Sequence, residues 1–180
     1  MKKLIIAAAM VCAAAFAQAA TVNWSISNVK DSSGAAPTAG WAVMAFYTTV
    51  GAGSSAIEAA IASKEAASLA FESTTLVVQL SKGKVAAHDA TAAGITDTTK
   101  NYDLYFVVFN NADATTATKY AIVSDPNKEY SSIDGKYSAG GNFSGVSWTD
   151  VPAPVIPEPT TGLLVLLGVA GLALRRGSRV

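Results

Sequence analysis

The chain has 180 residues, 51% of them hydrophobic and only 14% charged, and its 13 basic and 13 acidic side chains cancel to zero formal charge. Every arginine follows Leu174, and between Thr21 and Ile156 the acidic residues outnumber the lysines. A mildly acidic body without arginine lacks the clustered positive charge that nucleic-acid phosphates demand, so nucleic acid is excluded as a partner.

The chain opens "MKKLIIAAAMVCAAAFAQAA". Lys2 and Lys3 form a basic start, Leu4 to Phe16 is apolar, and Ala17-Gln18-Ala19 is a small-residue cleavage site. This is the layout of a secretory signal peptide, expected over residues 1–19, with Ala17 and Ala19 read by signal peptidase and the cut after Ala19. The apolar run is too short to span a bilayer comfortably, which favours removal over anchoring. Cys12, the single cysteine, lies inside it. Val11 before it is bulkier than lipid attachment requires, so Cys12 is read as part of the departing segment. The mature chain would then form no disulfide and depend on packing for its stability.

"TVNWSIS" alternates apolar Val22, Trp24 and Ile26 with polar residues, the pattern of a half-buried strand. A polar loop follows from Lys30 to Gly40. "WAVMAFYTTV" is apolar on both faces and predicts a central strand. "SSAIEAAIASKEAASLAFE" is alanine-rich and predicts one helix, with Ser55 and Glu58 at capping-box spacing. "TTLVVQL" and "KVAAH" flank "SKG" as a hairpin. "YDLYFVVF" is the most apolar strand, with Tyr102, Leu104, Phe106 and Val108 on one face, and "KYAIV" returns from it across "NNADATTAT". Asp134-Gly135 predicts a tight turn between Tyr130 and Tyr137. "GVSWT" predicts a last strand ending near Asp150. Short strands with regular turn signals and one helix predict a mainly β domain over residues 20–150, an antiparallel, jelly-roll-like β-sandwich.

"VPAPVIPEP" packs four prolines into nine residues and predicts an extended linker over residues 151–156. The apolar run from Gly162 to Leu174 would span about 20 Å as a helix, against a hydrocarbon core of about 30 Å. With the threonines before it, it predicts a short transmembrane helix over about 161–174. Arg175, Arg176 and Arg179 form the cytoplasmic stop within a basic tail at 175–180. Pro157, Glu158 and Pro159, the short apolar segment and the arginine cluster, together with a signal peptide, resemble bacterial proteins that carry a PEP-CTERM sorting signal. That signal would occupy residues 157–180.

The resemblance covers roughly the last 25 residues and carries no information about the fold before them. It implies transient anchoring in the inner membrane of a Gram-negative bacterium. An exosortase, a membrane cysteine transpeptidase, would read Pro157 to Pro159 and cut nearby. The body would pass to the cell surface or extracellular matrix, in a setting of exopolysaccharide production. Two prolines present that backbone already extended, so little ordering entropy is lost on entering a protease cleft.

Candidate chemistry in the body is sparse. "GAGSSA" at 51–56 matches G-x-G-x-x-A between a strand and a helix, with Glu72 about twenty residues on. The acidic residue precedes the next strand where the dinucleotide fingerprint places it at the end, so a turn into a capped helix is the expectation. His88 with Asp89 has the sequence of a base and its orienter, yet G-x-S-x-G is absent and a lone histidine is usually a surface or edge residue. "NNADAT" around Asp113 offers oxygen ligands without the spacing of a calcium loop. Trp24, Trp41 and Trp148 with several tyrosines could form a sugar-stacking platform, against a core role for Trp24 and Trp41. The expectation is a surface or matrix protein without catalytic activity, catalytic residues or cofactor. The alternative is a carbohydrate-binding or adhesion module, with extracellular polysaccharide as partner, and a secreted enzyme ranks below both.

Overall fold

The computed structural model describes residues 19–37, 40–79 and 82–153. The elements are β1 (Ala20–Val29), β2 (Ala42–Thr49), α1 (Ser55–Ala62), α2 (Ala66–Leu69), β3 (Glu72–Thr75) and β4 (Val77–Gln79). They continue with β5 (Lys82–Ala92), β6 (Tyr102–Phe109), β7 (Lys119–Lys128), β8 (Tyr130–Ser131), β9 (Lys136–Asn142) and β10 (Thr149–Asp150). Two five-stranded sheets result, one in the order β4-β5-β1-β9-β8, the other β10-β7-β6-β2-β3. Among the described residues no helix is long and apolar enough to cross a membrane.

The strand periodicities set the layers. Val22, Trp24 and Ile26 of β1 point into the space between the sheets, where they meet Leu104, Phe106 and Val108 of β6. Trp24 stacks on Phe106 with centroids 5.4 Å apart. β6 is buried along its whole length because its other face, Tyr105, Val107 and Phe109, is covered by Ile57 and Ile61 of α1 and Ala66 of α2. The layers are therefore sheet, sheet and helices.

Five expectations are corrected. The expected all-antiparallel pairing fails at one place, since β1 pairs in parallel with β9 while every other described pair is antiparallel. The single helix is two. Lys64 takes φ +63°, its N–H donates to the Ile61 carbonyl, and the Glu65 N–H donates to Ala60, which together close a Schellman motif. The residue at the N-cap position is Ser54, not Ser55, and its side chain makes no capping bond to the backbone. Ser54 precedes α1, and its hydroxyl donates to Glu58 Oε1 at 2.6 Å.

"TTLVVQL" is not one strand. β3 pairs with β2 in one sheet, and β4 pairs with β5 in the other. Leu76 forms the corner, 2% exposed in the core between the sheets. Gly83 opposite has no room for a Cβ, because the Leu76 side chain and Pro37 Cγ occupy that space. Finally, the predicted last strand is reduced to β10, and Trp148 lies just outside it. Pro126 is accommodated because it falls at the irregularity where β7 slips against Tyr102 and Leu104 of β6.

Candidate functional site

The expected processing residues fall at or beyond the limits of the fold. Ala19 is the first described residue, and Ala17, Pro157, Glu158, Pro159, Arg175, Arg176 and Arg179 lie outside the described residues. β1 begins at Ala20, whose N–H donates to the Ile95 carbonyl at 2.9 Å. β10 ends at Asp150, and the Val151 N–H donates to the Thr118 carbonyl at 2.8 Å.

The "GAGSSA" turn joins β2 to α1 with Gly51 at φ +81° and Gly53 at φ +74°. One amide of the turn is already engaged, since Gly51 N–H donates to Asp103 Oδ2 at 2.9 Å. Asp103 is 5% exposed and also accepts from the Asn127 N–H at 2.8 Å. A carboxylate in that position repels an anion. The glycines serve a turn, and Asp103, unmarked in the sequence, ties that turn to the bend of β7.

His88 does not pair with Asp89. Neighbours in a strand point to opposite faces, so Asp89 turns to Asn23 at 2.7 Å and Lys136 at 3.1 Å. Those two partners, Asn23 first, hold the Asp89 carboxyl below its ordinary range. His88 reaches the other sheet, where Nε2 lies 2.9 Å from Glu72 Oε1, and its Nδ1 lies 2.9 Å from the Ala86 carbonyl oxygen. Glu72 Oε2 accepts from Trp24 Nε1 at 2.6 Å. The Ala86 carbonyl can only accept, so Nδ1 donates to it, and Nε2 faces the Glu72 carboxyl. The Ala86 carbonyl, and then Glu72, raise the ring above the ordinary histidine value against partial burial. The cluster Trp24–Glu72–His88 is a bridge between sheets, and both ring nitrogens of His88 are engaged by these partners and the Ala86 carbonyl.

Asp113 closes its own loop. Its Oδ1 accepts from the Thr115 N–H and hydroxyl, both at 2.8 Å. Among the described residues no group of three His, Cys, Asp or Glu side chains is placed to hold a metal ion.

The tryptophans divide. Trp24 is fully buried. Trp41, just before β2, and Trp148, just before β10, are half-buried and meet edge to face, with centroids 5.4 Å apart and ring planes at 81°. Trp148 Nε1 donates to the Lys30 carbonyl at 2.9 Å, which fixes the ring. The pair walls a hollow of about 190 Å³ with Asp31, Ser32, Asn110 and Lys119. An adjoining hollow of about 420 Å³ shares Asp31, Ser32, Lys119 and Trp148. Five separate stretches of the chain build the site, so no local spacing in the sequence signals it.

No family model, curated protein or solved structure matches the chain.

Proposed function

We propose that this is an exported protein without catalytic activity, anchored briefly in the inner membrane by its C-terminal segment and passed by an exosortase to the cell surface or matrix. There it serves a structural role beside exopolysaccharide. The body is taken for a jelly-roll-like sandwich delivered as a finished unit. One observation carries the reading: both expected processing points flank the fold. A cut after Ala19 leaves β1 whole from Ala20, and a cut near Pro157 to Pro159 leaves β10 whole to Asp150. Processing would therefore remove the addresses and spare every described strand. The test is the intact mass of the mature protein from a Gram-negative host carrying the sorting system. It should begin at Ala20 and lack Gly162 to Val180, and a majority of molecules retaining that segment would overturn the reading.

A second reading, adhesion to glycan, is favoured by the half-buried Trp41–Trp148 pair beside polar side chains. The two readings are compatible, since a surface protein is delivered first and binds afterwards.

A further inference from the structure

We propose that the hollow between Trp41 and Trp148 is a subsite for an uncharged oligosaccharide. This rests on the adhesion reading and adds the site and the ligand class. A pyranose is amphipathic, with C–H faces that lie on aromatic rings and a rim of hydroxyls that need polar partners. Two rings at 81° supply a wall and a floor, so one sugar face meets an indole face while its edge meets the second ring. The bond from Trp148 Nε1 to Lys30 holds that corner in place before binding, which lowers the entropy lost on association.

Polar groups stand ready at the rim. Ser32 and Ser147, both exposed, line the larger hollow. Asp31, at the rim of both hollows, is held by its own turn, its Oδ1 accepting from the Ser33 N–H and hydroxyl and the Ala35 N–H.

Charge selects the class. Lys119 is paired with Asp150, and the lining otherwise carries one cation, Lys30, and one anion, Asp31, so no net charge calls for a uronate or phosphate. The hollow between the tryptophans, about 190 Å³, adjoins the larger one of about 420 Å³, and the larger falls within the roughly 300–1,000 Å³ typical of small-ligand sites.

The experiment uses the full chain in detergent against immobilised neutral hexose oligosaccharides, uronate oligosaccharides and a "VPAPVIPEP" peptide, since aromatic corners also take extended proline segments. Neutral oligosaccharides should bind. Trp148→Ala should weaken them at least about tenfold, as expected for a buried aromatic anchor, and Ile133→Ser, on an exposed hairpin tip, should change nothing. Should Trp148→Ala lose its fold by circular dichroism, the double variant Ser32→Ala with Ser147→Ala decides. It should weaken binding severalfold with its melting temperature unchanged. Glycan binding that survives these changes in folded protein would remove the site and leave adhesion standing. Binding of uronates alone removes the ligand class, and binding of the peptide alone, or of nothing, removes both site and adhesion.

Discussion

The His88 ring shows how much a single side chain can depend on a partner far away in the chain. Nothing beside it in the sequence names Glu72, sixteen residues earlier, because the two meet only when the sheets stack. The consequence is a pH dependence with a definite sign. The folded state raises His88 above its ordinary value of 6.5, the Ala86 carbonyl contributing most. Below about pH 6.5 the ring is charged in both states and the bridge contributes fully; as pH rises through the folded value that contribution is lost. Thermal midpoints recorded from about pH 6 to about pH 9 should fall for the wild type and stay nearly level for His88→Gln. A wild-type midpoint that rises across that window would refute the bridge. "HDA" was legible as a histidine beside an acid, but strand alternation sends those two side chains to opposite faces. The real partners were invisible because no local spacing encodes a contact between sheets.

Among the elements, strands were more legible than the helix. Alternation in β1 and the doubly apolar run of β6 report burial directly, since each residue's face follows from its parity. The helix break left no such mark. A left-handed residue after a helix is usually glycine, and here it is Lys64 at φ +63°. For a residue with a Cβ that conformation costs about 1 kcal/mol. Lys64→Gly should therefore stabilise the protein by about 0.5–1 kcal/mol in urea denaturation, with the slope unchanged. A loss of stability would mean that the lysine side chain makes a compensating contact. "GVSWT" misled for a different reason. Its apolar residues pack against other groups from outside any strand, Trp148 against Trp41 in particular, so apolarity was mistaken for strand pairing.

At the scale of the whole molecule, the decisive residue is Leu76, where the chain leaves one sheet and enters the other. Its N–H donates to the Trp41 carbonyl, and its own carbonyl accepts from Gly40, so the corner is held by backbone bonds as well as by burial. Leu76→Ala should cost about 2–5 kcal/mol, the range for emptying a buried leucine site. Because the corner belongs to both sheets, unfolding should remain a single transition by tryptophan fluorescence and circular dichroism. Two separated transitions would show that the sheets are stable independently.

By itself the sequence determined which residues face inward along each strand, because a strand's period is a local property. Only the tertiary structure decided that "TTLVVQL" divides between sheets, that β9 runs parallel to β1, and that the three tryptophans separate into one core residue and one half-buried pair. Those outcomes depend on contacts between residues distant in the chain, and such contacts are selected by the packing of the whole core.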